Sequence, residues 1–149
     1  MEESISLLEK IKIMSDAKEV DINTYSPLTL AFIGDCIYDL VIRTVLVTQG
    51  NRQPEKLHKT KSKMVKASRQ AAMAEALAGE LTDDEAEWYR RGRNAKSYSV
   101  AKNASVTDYR KATGFEALMG YLYLKGDEDR MLKLIKRGLE LTENEVNGQ

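Results

Sequence analysis

The 149-residue sequence contains one cysteine, one histidine and two prolines. The single Cys36 excludes a disulfide framework within one chain, and together with the single His58 it leaves no spacing suited to a zinc site. No apolar run approaches the roughly 20 residues that span a bilayer, and the first residues do not resemble a signal peptide. These absences exclude zinc fingers and most thiol enzymes, and they predict a cytoplasmic protein without a membrane segment.

Residues that interrupt helices are also scarce, with nine glycines beside the two prolines. Apolar residues recur at a spacing near 3.6 rather than 2, which predicts helices and no strands. A hydrophobic content of 42% lets a chain of this length bury one core. We therefore expect an all-α helical bundle forming a single domain over residues 1–149, with its core over about 27–141 and a polar tail over 142–149.

Capping signals and glycines predict the helix boundaries. Ser26 followed by Pro27 predicts the start of a helix that runs to about residue 50. A long basic helix is expected from residue 54 to residue 79. Thr82, with Glu85 three residues later, predicts a capping box and a helix that ends in the basic run 90–96. The polar residues 92–107 then predict one long loop, followed by two more helices.

The formal net charge of zero hides an uneven distribution of charge. Residues 51–72 contain seven lysines and arginines against one acidic residue, and residues 88–111 contain the same numbers. Each stretch carries +6, so the rest of the chain carries −12. Basic stretches of this kind suit a phosphate backbone, although lysine-rich helix faces are often simply solvated.

Three carboxylates lie within predicted apolar helices. Asp35 and Asp39 are four residues apart, so both project from one side of the helix that starts at Pro27. Glu116 lies in a second apolar helix. Buried carboxylates are costly unless they are paired with a cation or bound to a metal. The alternatives are therefore a Mg²⁺ site, or ion pairs in which Asp39 meets Arg43 and Asp35 meets a basic residue of another helix.

Two glycines suggest how the carboxylates could meet. Gly34 and Gly120 lie inside predicted helices, where glycine costs about 1 kcal/mol relative to alanine. Such a cost indicates close packing of the two helices. If they cross at these glycines, Asp35 and Glu116 could share a metal, which beside basic stretches would suit a phosphodiester hydrolase.

Two motifs resemble the ribonuclease III family. The segment LAFIGDCIYDLVIR (30–43) resembles its signature helix, and ATGFEALMGYLYL (112–124) resembles its second motif. The resemblance covers about residues 27–124, and with RRGRNAKS (90–97) it is closest to the Mini-ribonuclease III branch. It implies the family's helical endonuclease domain and an endoribonuclease that leaves 5′-phosphate products.

The resemblance also implies roles for individual residues. Asp35 falls on the metal-binding aspartate that supports the attacking water, and Glu116 falls on the glutamate that bridges to the metal. Larger members carry further acids where this chain has Leu28, Ala31 and Thr113, so the number of metals stays open. Asp39 is a candidate for a supporting group beside the metal ligands, or a surface acid near Arg43.

The resemblance further implies a homodimer in which each site cuts one strand of double-stranded RNA. It implies maturation of the ends of the large-subunit (23S) ribosomal RNA precursor, with a ribosomal protein as a possible helper. No double-stranded-RNA-binding domain is recognised in this sequence, so basic residues of the loop and of the basic helix are expected to bind the RNA. They are Arg90, Arg91, Arg93, Lys96, Lys102, Lys59 and Lys63.

Two other functions fit parts of the sequence. A non-catalytic RNA-binding or ribosome-assembly module would use the basic faces alone and leave the carboxylates structural, but both carboxylates stand within their motifs. A helical metal-dependent nucleotide hydrolase would need several acids in Glu-x-x-Glu spacing, and no such cluster accompanies Asp35.

Overall fold

The computed structural model of the chain describes residues 4–95 and 105–144. Within these ranges all regular elements are helices, which confirms the predicted all-α class. No helix in these ranges combines the length and apolar character needed to cross a membrane. The α-helices are α1 (Leu7–Met14), α2 (Pro27–Val47), α3 (Pro54–Val65), α4 (Ala67–Leu77), α5 (Asp83–Asn94), α6 (Val106–Lys125) and α7 (Glu128–Leu141), with 3₁₀ turns at Ile22–Thr24 and Ala78–Glu80.

The capping signals of the sequence predict two helix starts correctly. The Thr29 amide donates a hydrogen bond to the Ser26 hydroxyl at 3.1 Å, and Pro27 begins α2. Thr82 and Glu85 form the predicted capping box: the Glu85 amide donates to Thr82 Oγ1, and the Thr82 amide donates to Glu85 Oε1. Local sequence is therefore enough to define where α2 and α5 begin.

The long basic helix predicted after residue 53 is wrong, because it is two helices, α3 and α4. The backbone is extended at Lys66, with φ −62° and ψ 153°. Two side chains bond the carbonyl groups that the break leaves without helical partners. The Tyr38 hydroxyl donates to the Met64 carbonyl at 2.7 Å, and the Gln70 side chain donates to the Val65 carbonyl at 2.8 Å.

Helix α5 runs through Arg90, Arg91 and Arg93 to Asn94, so it ends within the predicted run 90–96 but extends into the stretch 92–107 that was predicted as a loop. Its glycine does not end the helix, because Gly92 is buried where α5 meets α6. A Cβ at this position would lie 2.9 Å from the Cα of Gly114, so the absence of a side chain allows the two helices to approach. The three arginines assigned to a loop therefore lie on a helix.

Helix α6 is the centre of the bundle and packs against α2, α4, α5 and α7. From Ala112 to Tyr123 every side chain of α6 is buried except Glu116, which is half-buried. The ring of Phe115 meets the ring of Tyr38 edge to face, with centroids 5.4 Å apart. Glu116 therefore marks the place where solvent reaches the central helix.

Candidate active site

Helices α2 and α6 cross where each helix carries a glycine. A Cβ built on Gly34 would overlap the backbone carbonyl oxygen of Glu116, and one built on Gly120 would overlap the carbonyl oxygen of Leu30. This backbone contact confirms that the two glycines mark close helix packing. It also places the turn of α2 that carries Asp35 directly against the turn of α6 that carries Glu116.

The crossing brings the side chains of Asp35 and Glu116 within hydrogen-bonding reach of each other. Burial, together with the hydrogen bond to Asp35 and the negative charge of Asp35, raises the pKa of Glu116 from 4.5 to about 9. Asp35 itself is exposed. Without a cation at the site, Glu116 therefore holds a proton at neutral pH.

Both carboxyl groups line an open cavity of about 480 Å³. On the α6 side, Tyr109 and Thr113 line the cavity, seven and three positions before Glu116. This spacing puts the three residues on the same helix face. Cys36 and the exposed ring of Phe32 stand on the α2 side. The complete lining is Leu28, Ala31, Phe32, Ile33, Asp35, Cys36, Tyr109, Thr113 and Glu116.

The chemistry of the pair fits a hard divalent cation. Among the described residues, no lysine, arginine or histidine forms an ion pair with Asp35 or Glu116. The same part of the chain also contains no group of three or more acidic, histidine or cysteine side chains arranged as a metal site. Two carboxylates suit Mg²⁺, which keeps several water ligands and commonly binds only one or two protein carboxylates.

Asp39 lies one turn after Asp35 but does not line the cavity. Its Oδ2 accepts a hydrogen bond from Arg43 Nε at 2.6 Å, and its Oδ1 lies 3.6 Å from Lys61 Nζ on α3. Both carboxylate oxygens therefore face cations. Asp39 therefore forms the pair with Arg43 that the sequence offered as one alternative. A role for Asp39 beside the metal ligands stays a prediction.

The three arginines of α5 have different surroundings. Arg90 makes two hydrogen bonds to Glu87, at 2.6 and 3.0 Å. The guanidinium of Arg91 lies over the ring of Trp88, 4.3 Å from its centroid. Arg93 lies near the ring of Tyr89, at 5.7 Å. All three are anchored by neighbours of the same helix.

The other basic residues predicted to bind RNA lie on α3 or outside the described ranges. Lys59 and Lys63 are exposed on α3 and form no ion pair within the described residues. The face of α3 that packs on the core carries Leu57 and Met64 instead. Lys96 and Lys102 lie outside the described residues.

Sequence reasoning did not place two polar residues in the cavity: it gave Tyr109 no role, and it noted Thr113 only as a position where larger family members carry an acid. Tyr109 and Thr113 precede Glu116 on α6, and Thr113 Oγ1 donates a hydrogen bond to the Tyr109 carbonyl at 3.0 Å. Thr113 lies three and Tyr109 seven positions before Glu116, and this helical spacing is the signal that could have found them. Lys61 was treated only as part of a basic stretch, because its partner Asp39 lies on another helix.

Comparison with known proteins gives consistent matches. Residues 28–127 match the Ribonuclease III domain family. A protein of Enterococcus faecalis named Mini-ribonuclease 3 is 50% identical over 117 residues, which cover 77% of this chain and 89% of the relative. A protein of the same name from Brevibacillus brevis is 44% identical over 125 residues, covering 84% of this chain and 93% of the relative.

One solved structure supports the same grouping. The crystal structure of protein FN1578 from Fusobacterium nucleatum superposes with a TM-score of 0.73 at 30% sequence identity. The match covers 82% of this chain and 98% of that one. The similarity therefore extends from sequence to the arrangement of the helices.

Proposed function

Since the chain belongs to the Mini-ribonuclease III branch of the ribonuclease III family and is an endoribonuclease, we propose that Asp35 and Glu116 form its metal-dependent catalytic site for double-stranded RNA. The observation that carries this proposal is the pair itself. Two carboxyl groups from different helices meet in an open cavity, with no cationic side chain of the described residues to balance them. Family membership also sets aside the alternative of a non-catalytic module.

The proposed cofactor is Mg²⁺, held by Asp35 and Glu116. Bound there, the ion would supply activation of a water molecule and stabilisation of negative charge on the phosphate. Glu116 must lose its proton to act as a ligand, because a carboxylic acid is a poor ligand for a hard cation. Asp35 is exposed, so a phosphate could reach it, while Glu116 on α6 is half-buried.

RNA contact is proposed for the basic residues of α5 and the segment that follows it. Arg90, Arg91 and Arg93 stand on the last two turns of α5, and Lys96 and Lys102 follow in sequence. Neighbouring groups hold all three guanidinium groups, which lowers the entropy lost when phosphate binds. Lys59 and Lys63 on α3 would add longer-range attraction for the backbone.

We also propose a homodimer whose interface includes α2. The Phe32 ring is 81% exposed, and Leu28 one turn earlier is 38% exposed. Exposed apolar side chains grouped on one helix face commonly mark an interface. A two-fold pair of sites would allow one encounter to cut both strands. Sedimentation of the wild type and of Phe32→Glu tests this: the proposal expects a dimer that the variant dissociates, and a wild-type monomer that still cuts both strands in one encounter would contradict it.

The substrate proposed within the cell is the precursor of large-subunit (23S) ribosomal RNA, with a ribosomal protein as helper. The support is the likeness of the chain to the Mini-ribonuclease III branch. Incubation with that precursor, with and without large-subunit proteins, should produce defined ends. Uniform degradation or no cutting under both conditions would contradict the assignment.

The direct test of the function is incubation of the purified protein with a long RNA duplex, with Mg²⁺ or with EDTA. Cleavage on a denaturing gel is expected only with the metal. Single-stranded RNA of the same sequence serves as the control. Equal cleavage in EDTA would contradict the metal site, and equal cleavage of the single strand would contradict the substrate class.

A further inference from the structure

A second charged group lies next to the proposed catalytic cavity, where α2 meets α3. It consists of Asp39 and Arg43 on α2 and Lys61 on α3. Asp35, Asp39 and Arg43 follow one another at intervals of four residues, so they share one side of α2. At 1.5 Å per residue, Arg43 lies about 12 Å from Asp35 along the helix axis.

Lys61 is the lysine of α3 that turns toward α2. It lies four residues after Leu57 and three before Met64, and both of these residues pack against the core. Its side chain is 19% exposed, so most of its stem is covered while the ammonium group reaches Asp39. Lys59 and Lys63 belong to the exposed side of α3.

The group retains binding capacity for an anion. One carboxylate faces two cations, so the three side chains together carry +1. Arg43 binds Asp39 through Nε alone, and its terminal nitrogens have no hydrogen-bond partner among the described residues. The Arg43 side chain is 51% exposed. A small cavity of about 170 Å³ lies beside it, with Arg43, His58 and Lys61 among its lining residues and the apolar Leu46, Val47, Pro54 and Leu57 forming the rest.

We propose that Arg43 and Lys61 contact a backbone phosphate of the RNA duplex whose cleavage takes place at Asp35, and that Asp39 is the positioning residue that holds both cations. The inference rests on the proposed function. Guanidinium and ammonium groups are the usual protein partners of phosphate oxygens. Anchoring by Asp39 keeps both side chains on the side of α2 that carries the catalytic aspartate.

The experiment measures binding of a labelled RNA duplex in EDTA, where metal-dependent cutting is absent, over a range of salt concentrations. The variants are Lys61→Met and Arg43→Met. Lys133→Met is the matched control, because it removes the same charge from an exposed position of α7. Each test variant should bind roughly five- to ten-fold more weakly, and the slope of log affinity against log salt should fall by about one. The control should leave both unchanged.

Cleavage kinetics separate this role from a structural one. With Mg²⁺, Lys61→Met should raise KM and leave kcat and the melting temperature near their wild-type values, and Lys61→Arg should restore KM. Unchanged affinity and salt slope in both test variants would overturn the inference, as would a loss equal to that of Lys133→Met. These results do not depend on the metal site, whereas failure of the wild type to cut duplex RNA would contradict the proposed function itself.

Discussion

Two glutamates at helix contacts, Glu85 and Glu116, have carboxyl groups in opposite environments. Glu85 on α5 is 4% exposed and accepts hydrogen bonds from Arg130 Nε and Nη2 on α7, both at 2.8 Å. Glu116 on α6 faces Asp35 instead. The bonds from Arg130 lower the pKa of Glu85, and burial beside Asp35 raises the pKa of Glu116 to about 9.

The difference separates a group that stabilises the fold from a group left available for chemistry. The negative charge of Glu85 is balanced within the chain by Arg130. Its carboxylate oxygens accept hydrogen bonds from Arg130 and from the Thr82 amide. No basic side chain of the described residues balances the charge of a deprotonated Glu116, so a cation from outside the chain would have to do so. A raised pKa in an open cavity is typical of functional sites, while a lowered pKa in a closed ion pair is typical of structural ones.

The largest effect is expected from Asp35→Asn. The change preserves the shape of the side chain and removes the charge that holds a metal, so cleavage of duplex RNA should fall at least roughly 10²- to 10³-fold. Affinity for the duplex and its salt dependence should stay the same, as measured in EDTA. Normal turnover at millimolar Mg²⁺ would disprove the assignment of Asp35. Glu116→Gln should behave similarly, with partial recovery at high metal concentration.

Glu85→Gln should give the opposite result. Glutamine can still serve in the capping box, but Arg130, at a partly buried position, loses the ion pair that it forms with Glu85. Loss of one member of such a pair should cost about 3 kcal/mol of the free energy of unfolding. Urea denaturation measures the loss, and kcat at a temperature where the variant is folded should equal that of the wild type. A large drop in kcat would place Glu85 in the active site.

The pH dependence of stability should also differ between the two glutamates. Between about pH 4.5 and pH 9 the folded chain binds more protons at Glu116 than the unfolded chain does, so in EDTA this contribution to stability is lost as the pH rises toward 9. The contribution of Glu85 is present above its unfolded pKa and is lost as the pH falls through its folded pKa.

Melting temperatures measured in EDTA across this pH range test the assignment. Glu116→Gln should flatten the decline toward pH 9, because glutamine does not titrate, while Glu85→Gln should leave that decline in place. Saturating Mg²⁺ should also oppose the decline, since the metal binds the deprotonated form. An identical decline in the wild type and in Glu116→Gln would show that another group titrates.

The smallest effect is expected from Asp39→Asn, since asparagine can still accept the hydrogen bond from Arg43 Nε. KM for duplex RNA should change by roughly two- to five-fold, because the ion pair with Lys61 is lost. The Mg²⁺ concentration that gives half-maximal activity should not change, unlike in Glu116→Gln. A clear shift in that concentration would assign Asp39 to the metal site.

Local sequence was sufficient for the features that depend on nearby residues. The caps at Ser26 and Thr82 follow from side chains within three positions, and the crossing of α2 and α6 follows from glycines inside otherwise apolar helices. The meeting of Asp35 and Glu116 was predictable for the same reason. Once the two helices cross at Gly34 and Gly120, Asp35 and Glu116, which lie next to these glycines or one turn away, come close together.

The features that sequence missed depend on partners far along the chain. The break at Lys66 is stabilised by the Tyr38 hydroxyl, 26 residues before the carbonyl that it bonds. In the sequence, Gly92 suggests the end of a helix, but in the structure α5 continues past it and packs closely against α6 there. The ion pair of Asp39 with Lys61 requires the packing of α3 against α2, which no local pattern encodes.

The crossing at Gly34 and Gly120 has a consequence for how this enzyme can change during evolution or engineering. The backbones of α2 and α6 touch there, so the spacing of these two helices tolerates no added methyl group. A library of random variants selected for cleavage should return neither position altered, whereas an exposed position outside the proposed RNA contacts, such as Lys133 on α7, should vary freely. Changes in substrate preference would therefore have to come from residues outside this crossing.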